Sequence, residues 1–413
     1  MRSFYTITFI TVMLISCTND PDKHESSAEA APSAYKQGTF GYDSAFLQQY
    51  DSIISLAVDG EPGRVAVSPK YQGKVFTSTA EGNEGKSFGW INYKAFTAPV
   101  DAHMNAYGGE NRFWLGPEGN RFSLYFGKNK EMVFDNWKTP AAFDTESWTV
   151  VENKPASVTM RKDMVLQNYA GTELRVEANR TIATLDKKKI AGQIGIAPAA
   201  DVKSVGYLAS NSITNRGQAA WDEKTGMPCI WMLDMFNPSE RTVIAIPYRT
   251  DVKDTASKIA TTDYFGQIPS DRIRYHNGVL LFRADGKSRG KLGLDPTRAK
   301  RMAGSYDAAG HVLTLIIYDL NPAGRYLNQE WNTKKPPFSG DAVNAYNDGP
   351  LENGTQMGPF YELESVSPAA FLPPGGTLSH NHAVFHFTGP EESLTQIAVK
   401  TLGITLKEMA EAF

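Results

Sequence analysis

Two glutamates separated by one residue are the first feature of this sequence that could do chemistry. In "GPFYELESVSP", Glu362 and Glu364 alternate with Tyr361 and Leu363. The two-residue period of a strand would place both carboxylates on one face, with Cα atoms about 6.6 Å apart. Like charges this close raise one pKa, which suits general acid or base catalysis. A solvated outer face would carry the same pattern, so the pair is a candidate catalytic pair with a harmless alternative.

Histidines repeat this spacing further along the chain. In "SHNHAVFHF", His380, His382 and His386 fall on one face of a predicted strand. A His-x-His pair can hold zinc if a third ligand reaches it, but the sequence shows no such ligand, and polar-face histidines are the alternative. We assign no metal, and the sequence leaves open whether the His380/His382 pair binds one. The isolated histidines are interpreted as structural or surface residues: His103, His276 and His311.

Two polar and aromatic segments predict a sugar site. Sugars need bidentate amide, carboxylate and guanidinium partners together with a flat aromatic face, because each hydroxyl must be paired and each C–H face covered. The alternative is an aromatic core strand flanked by ordinary turns. The candidate substrate-binding residues are Arg112, Trp114 and Glu118 in "YGGENRFWLGPEGNRFSLYF", beside Glu110 and Asn111, and Asn211 and Asn215 in "SNSITNRG".

The stretch "GDAVNAYNDG", residues 340–349, is predicted to be a polar loop at the rim of the same cleft. Its Asp348-Gly349 pair is sufficient for a turn, so the remaining polar residues are available to a ligand. We predict that Asn344, Asn347 and Asp348 contact sugar hydroxyls and that Tyr346 stacks on the ring. The alternative is a turn whose side chains bond their own backbone.

Several classes of function are excluded by missing motifs. The chain has no Gly-x-Ser-x-Gly, His-Glu-x-x-His, P-loop or dinucleotide fingerprint. Its formal net charge is −3, and no basic patch indicates nucleic acid. We therefore predict a carbohydrate partner, no nucleic acid and no cofactor.

The amino terminus predicts export and a lipid anchor. Residues 1–17, "MRSFYTITFITVMLISC", place Arg2 before a short apolar run that ends at Cys17, as in a bacterial lipoprotein signal peptide. Cys17 would carry acyl chains such as palmitate, and Thr18 favours the outer membrane, on the periplasmic or cell-surface side. The alternative is an ordinary secretory peptide. Residues 18–40 are small and polar and are predicted to be a disordered tether.

The elements that must position these residues are mostly strands. Segments rich in β-branched and aromatic residues recur between turn clusters, and Asn277-Gly278 predicts a tight hairpin. Helices are predicted for "DSAFLQQYDSIISL", residues 43–56, and near the carboxyl terminus, where Thr405 and Glu408 fit a capping box. The predicted fold is all-β: one large antiparallel β-sandwich over residues 41–390, with short peripheral helices and a helical segment at 391–413.

Five motifs, in order, resemble a family of uncharacterised bacterial lipoproteins in the galactose-mutarotase-like (aldose 1-epimerase-like) superfamily. They are "GGENRFWLGPEG", "SNSITNRG", "LFRADGKSRGKLGL", "GDAVNAYNDG" and "GPFYELESVSPAAFLPPGG", and the resemblance covers roughly residues 50–390. It implies a supersandwich fold, with Glu364 as the general base that deprotonates the anomeric hydroxyl and Glu362 as its substitute.

The resemblance breaks at the general acid. Galactose mutarotases carry a mid-chain histidine that protonates the ring oxygen, whereas "AAWDEKTGMPCIWMLDMF" has no matching His-x-Tyr-Phe segment. The available substitutes are Asp234, Arg112, His103 and the histidines of "SHNHAVFHF". Three hypotheses follow: an epimerase or mutarotase-like isomerase, a carbohydrate-binding lipoprotein without catalysis, or a glycoside hydrolase or lyase that uses Glu362 and Glu364.

Overall fold

A computed structural model describes residues 34–252 and 258–413, so the predicted signal peptide, Cys17 and most of the tether lie outside the described residues. Within these ranges the α-helices are α1 (Phe40–Leu47), α2 (Lys187–Ile194), α3 (Glu391–Leu402) and α4 (Leu406–Ala410). Short 3-10 helices cover Tyr93–Phe96, Phe134–Asn136 and Ala141–Phe143. No α-helix in the described ranges is long and apolar enough to cross a bilayer.

The remaining elements are strands. They are β1 (Ile54–Leu56), β2 (Arg64–Ser68), β3 (Lys74–Thr79), β4 (Arg112–Gly116), β5 (Thr149–Lys154), β6 (Ser157–Gln167), β7 (Glu173–Thr184), β8 (Lys203–Asn215), β9 (Cys229–Phe236), β10 (Thr242–Pro247), β11 (Ile273–His276), β12 (Val279–Arg283), β13 (Gly290–Leu294), β14 (Met302–Asp307), β15 (Val312–Tyr318), β16 (Val343–Asn347), β17 (Tyr361–Val366) and β18 (Thr377–Thr388).

These strands form three sheets. The largest has ten antiparallel strands in the order β11-β12-β10-β14-β15-β18-β8-β7-β6-β5. A five-stranded antiparallel sheet has the order β13-β16-β17-β9-β4, and a small sheet has the order β1-β2-β3. The predicted all-β sandwich with short peripheral helices is confirmed.

The main core lies between the ten-stranded and five-stranded sheets, and a second core lies between the ten-stranded sheet and helices α2 to α4. The sequence of β10 is continuously apolar because both of its faces are buried. Ile244 and Ile246 join the first core, whereas Val243 and Ala245 join the second. Strands β6 and β7 keep the alternation of buried and more exposed residues of a sheet with one open face.

Local turn and capping signals were reliable. Asn277 and Gly278 both have positive φ and close the hairpin between β11 and β12, as the Asn-Gly pair predicts. Thr405 and Glu408 form the predicted capping box at the start of α4.

The helix predicted over residues 43–56 is wrong in extent. Helix α1 ends at Leu47, and the chain then turns into β1, where Ile54 pairs with Val67. The Asp51 carboxylate accepts hydrogen bonds from Ser68 Oγ at 2.5 Å and from Lys70 N at 3.1 Å, and both contacts fix the turn. Long-range strand pairing therefore overrides the helical spacing of the apolar residues.

Candidate functional site

A cavity of about 340 Å³ lies against the face of the five-stranded sheet that points away from the ten-stranded sheet. Its walls combine large aromatic rings with charged side chains. The lining residues are Asp101, His103, Met104, Ala106, Arg112, Trp114, Glu118, Phe134, Trp137, Trp231, Leu233, Met235, Phe265, Arg289, Lys291, Trp331, Tyr346, Met357, Phe360 and Glu362.

Strand register explains how distant residues meet on this face. In one row, Arg112 pairs with Leu233, which pairs with Glu364. In the next row, Glu362 pairs with Tyr346, which in turn pairs with Lys291. Directly paired residues point the same way in a pleated sheet. Glu362 and Glu364 therefore share a face, as their spacing predicts.

Glu362 and Arg112 form a buried pair at the floor of the cavity. Arg112 Nη2 donates to Glu362 Oε1, and only 7% and 9% of the two side chains are exposed. Burial raises the pKa of Glu362 to about 8, the neighbouring Glu364 carboxylate adds to the rise, and Arg112 opposes it. A carboxyl group with this pKa can carry a proton at neutral pH and can also give it up.

Glu364 lies beneath the cavity wall and is fully buried. Its Oε2 accepts hydrogen bonds from Lys291 Nζ at 2.9 Å and from Trp231 Nε1 at 2.8 Å. Burial acts against the charge on Lys291, but the carboxylates of Glu364 and Glu118 outweigh it and raise the pKa of the lysine. The residue expected to be the base is thus held by two partners that themselves line the cavity, whereas Glu362 reaches the cavity directly.

Two further predicted residues line the cavity. The Arg112 guanidinium lies 5.2 Å from the ring centroid of Trp114, whose indole meets Trp231 edge-on with ring centroids 5.6 Å apart. Glu118 is partly exposed, and burial raises the pKa of its carboxyl group despite the nearby Lys291. Arg112, Trp114 and Glu118, which lie close together in the sequence, therefore converge with Glu362 from a distant strand.

Asn211 and Asn215 are not among the lining residues, which corrects the prediction that they bind substrate. Asn211 lies between the sheets, where its Oδ1 accepts from Arg180 Nη1 at 2.8 Å. Asn215 donates to the backbone carbonyls of Ala219 and Leu372 at 2.9 and 3.1 Å. Both amides stabilise the fold because their hydrogen-bonding groups are engaged inside the protein.

The predicted loop at residues 340–349 is also corrected, because Val343–Asn347 forms the fully buried strand β16. Asn344 and Asn347 therefore point to opposite faces instead of the same one. Asn347 accepts from Gly286 N and donates to Ser288 O, both at 2.9 Å, and so holds the neighbouring loop. Asp348 accepts from Tyr346 Oη at 2.9 Å and from Gly358 N at 3.1 Å.

Of this segment, only Tyr346 lines the cavity. Asn344 is on the cavity face of the sheet but is 1% exposed, and its Nδ2 contacts Tyr264 Oη and Leu292 O at 3.4 Å. Polar residues can be buried in this strand because most of their side chains are hydrogen-bonded inside the protein. The composition of the segment does not reveal these hydrogen bonds.

The histidines of β18 are sealed between the sheets. Ser365 Oγ lies 2.8 Å from both His380 Nε2 and His382 Nδ1, and His382 Nε2 lies 2.6 Å from Asp234 Oδ2. His386 contacts Thr314 and Glu110. These residues are fully or almost fully buried and do not line the cavity, so neither Asp234 nor these histidines can serve there as the missing acid.

His103, in contrast, lines the cavity. Its Nδ1 lies 2.6 Å from the carbonyl oxygen of Trp137, and its ring stacks on Phe134 with centroids 4.6 Å apart. A carbonyl oxygen only accepts, so Nδ1 carries the proton and Nε2 is the basic nitrogen of the neutral ring. This assignment makes His103 the histidine best placed for proton transfer in the cavity.

Much of the cavity lining is not predictable from the sequence. Trp137, Trp231, Trp331 and Lys291 come from separate segments and have no mutual spacing that could reveal them. Two of them lie in segments that the sequence singles out: Lys291 in "LFRADGKSRGKLGL" and Trp231 in "AAWDEKTGMPCIWMLDMF". Together, aromatic faces, paired cations and a protonatable carboxyl group can bind a polyhydroxylated ring and move a proton on it.

Comparison with known proteins finds solved structures that are similar to this chain at low identity. A search of curated proteins finds no match. Among solved structures, the Slr1438 protein from Synechocystis sp. PCC 6803 is 13% identical, with a TM-score of 0.49 and coverage of 82% of this chain and 96% of that chain. A galactose mutarotase-like protein from Lactobacillus casei ATCC 334 is 8% identical, with a TM-score of 0.47 and coverage of 81% and 100%.

A galactose mutarotase related enzyme from Lactobacillus acidophilus is 9% identical, with a TM-score of 0.44 and coverage of 82% and 97%. Likenesses of this degree leave the function to be argued from the chain's own residues. The family model described as "Family of unknown function (DUF6786)" matches residues 38–413, and the chain belongs to that family.

Proposed function

We propose that the cavity binds a carbohydrate and that Glu362 and His103 perform acid-base chemistry of the aldose 1-epimerase type on it. The observation that carries this proposal is the Arg112–Glu362 pair at the floor of an aromatic-walled cavity. The cavity volume of about 340 Å³ falls at the small end of the ~300–1,000 Å³ range of small-molecule sites, which suits a sugar ring.

The proposed reaction needs one proton donor and one proton acceptor. Protonated Glu362 gives its proton to the ring oxygen as the bond from C1 to that oxygen breaks, while His103 Nε2 takes the proton of the anomeric hydroxyl. The electron pair of that O–H bond forms the C1 carbonyl, and the pair of the broken bond stays on the ring oxygen. Arg112 stabilises the carboxylate left on Glu362. Rotation about the C1–C2 bond and reversal of both transfers give the other anomer.

Polarimetry with freshly dissolved α-glucose and α-galactose tests this function. The protein should accelerate mutarotation, and Glu362→Gln and His103→Gln should each lower the rate by about 10²–10⁴-fold, the usual contribution of a positioned acid or base. The exposed Glu411 provides the matched control, since Glu411→Gln should leave the rate unchanged. Equal rates with and without protein would contradict the catalytic proposal.

The second candidate is carbohydrate binding without catalysis. It is favoured by the ion pair and hydrogen bond that hold Glu364, because the residue that resembles the general base of galactose mutarotases is not free to react. In that case calorimetry would detect sugar binding that Arg112→Met abolishes, while polarimetry would show no acceleration. A glycoside hydrolase or lyase is less well supported, since a hydrolytic pair must flank a bond and Glu364 is fully buried.

We also propose that the chain is attached to the outer membrane through acyl chains on Cys17. Each buried CH₂ contributes about 0.8 kcal/mol, so several chains would hold it firmly. Cys17→Ser should release soluble protein or stall processing, with Cys229→Ser as the control. Unchanged membrane partition together with unchanged fatty-acid labelling would contradict the anchor.

A further inference from the structure

One wall of the cavity is a row of nearly parallel rings, which we call the first aromatic series: His103, Phe134, Trp137 and Trp331. Successive ring centroids are 4.6, 6.1 and 6.1 Å apart, with interplanar angles of 15°, 18° and 25°. Exposure changes sharply along the series, because Phe134 is 59% exposed whereas Trp137 is 7% exposed. Phe134 is therefore the exposed ring of this row, whereas His103 and Trp331 are partly buried.

A second row, the second aromatic series, consists of Phe265, Tyr346 and Phe360. Its centroid separations are 5.9 and 5.7 Å, and it runs from Phe265, 40% exposed, to Phe360, 2% exposed. The Arg289 guanidinium lies 3.9 Å from the Phe265 ring centroid, and its Nε donates to Tyr346 Oη at 3.3 Å. This row thus ends at solvent with an aromatic face and a cation beside it.

The exposed ends of both series line the cavity, unlike the exposed Phe371 elsewhere on the surface. Phe134 and Phe265 are large apolar side chains that folding leaves in water, and Met357, 42% exposed, lines the same cavity. Contiguous exposed apolar surface on a soluble domain marks a binding site. The rings are continuous with the buried aromatics of the cavity, and Arg289 adds hydrogen-bond donors among them, which fits a ligand that alternates flat C–H faces with hydroxyl groups.

We propose that Phe134 and Phe265 form an outer subsite for a second sugar unit, and that the ligand is an oligosaccharide. This inference rests on the proposed function and names its substrate class. The reducing-end unit lies on the Arg112–Glu362 floor, because only that unit has an anomeric hydroxyl to deprotonate. The next unit leaves through the mouth between the exposed rings, where Arg289 can donate to its hydroxyl groups.

Calorimetry with sugars of increasing length tests the outer subsite. The probes are glucose, maltose and maltotriose, and galactose, galactobiose and galactotriose. In at least one series the disaccharide should bind about tenfold more tightly than the monosaccharide. Phe134→Ala and Phe265→Ala should each weaken disaccharide binding about threefold to tenfold more than monosaccharide binding, in line with the modest energy of one aromatic contact.

Phe371 provides the matched control, since it is 38% exposed and does not line the cavity. Phe371→Ala should leave every dissociation constant unchanged, and melting temperatures should show that all three variants fold. Equal affinity for mono- and disaccharides, or equal weakening of both by Phe134→Ala, would overturn the outer subsite while leaving the proposed function standing. Absence of binding by every probe would overturn both.

Discussion

The two faces of the five-stranded sheet carry similar kinds of residue but differ in access. Between the inner face and the ten-stranded sheet lies a continuous chain of contacts of 2.6 to 2.8 Å. It links Asp234, His382, Ser365 and His380, which are all fully buried. Burial, with His382 alongside, lowers the pKa of His380 to about 3, so its ring is neutral near pH 7. A serine, an aspartate and a histidine at these distances resemble hydrolytic machinery, yet no substrate can reach them.

On the outer face, charged pairs border the cavity and leave polar atoms without partners. Arg112 Nε, Trp114 Nε1 and Glu364 Oε1 have no hydrogen-bond partner among the described residues, but neither has His380 Nδ1 on the inner face, so access to the cavity is what distinguishes the two faces. Residue type and spacing identify side chains that could act as acids, bases or nucleophiles, whereas packing decides which of them a substrate can reach. Adjacent residues Glu364 and Ser365 lie on different faces because side chains alternate along a strand, and only the outer face borders the cavity.

The largest expected loss of stability comes from a substitution on the inner face. Asp234→Ala removes the partner of both His382 Nε2 and Asn111 Nδ2, which is 2.6 Å from Asp234 Oδ1. Each buried group left unsatisfied costs roughly 1–3 kcal/mol, so the free energy of unfolding should fall by roughly 2–6 kcal/mol. Urea unfolding measures this, with the exposed Asp59→Ala as control. If sugar affinity per folded molecule also falls, the two faces are not independent.

A pH-dependent effect should come from Glu362 on the outer face. Its pKa is raised from an ordinary value near 4.5 to about 8, so the folded state binds the extra proton between these values. The stabilisation that this proton provides is full below about pH 4.5 and is lost as pH rises through about 8. The free energy of unfolding should therefore fall by up to ~1.4 kcal/mol per pH unit in this window. Urea unfolding of wild type and Glu362→Gln from pH 5 to 9 isolates it.

The mutarotation rate should follow the same titration, falling as pH rises through about 8 because the proton donor is lost. A rate that is constant up to pH 9 would show that Glu362 is not the acid. Parallel stability curves for wild type and Glu362→Gln would show that its pKa is not raised.

A smaller effect separates two asparagines on one strand. Asn347 makes two hydrogen bonds of 2.9 Å to the loop at 286–288, whereas both contacts of Asn344 Nδ2 are 3.4 Å long. Asn347→Ala should lower the free energy of unfolding by about 1–3 kcal/mol. Asn344→Ala should lower it by less than about 1 kcal/mol, and thermal or urea unfolding compares them. The reverse order would contradict the structural role assigned to Asn347.

Another small effect concerns Tyr346, which donates to Asp348 and accepts from Arg289. Tyr346→Phe should lower the free energy of unfolding by about 0.5–1.5 kcal/mol, the net value of a hydrogen bond. If Asp348 acts on ligand only through this hydroxyl, then Asp348→Asn in the Tyr346→Phe background should not weaken sugar binding further. Additive losses of affinity would instead place Asp348 in direct contact with ligand.

Local features were predictable because their causes are local. The Asn277-Gly278 hairpin, the Thr405–Glu408 capping box and the shared face of Glu362 and Glu364 depend on φ/ψ preferences, short hydrogen bonds and strand period. Strand β16 was not predictable from composition, because its polar residues are buried only where β13, β17 and the 285–288 loop supply partners. Helix α1 was predicted too long because Ile54 belongs to a strand pair.

The sequence by itself determined that the chain is mostly β, and that the two glutamates of β17 share a face, because a two-residue period follows from strand geometry alone. Only the tertiary structure decided that Glu362 reaches a cavity while Glu364 is held beneath it by Lys291 and Trp231. Those partners come from β13 and β9, far away in the chain. The access of substrate to a side chain and the pKa of that side chain depend on the groups around it in space. Strand pairing across the sheet determines which groups those are.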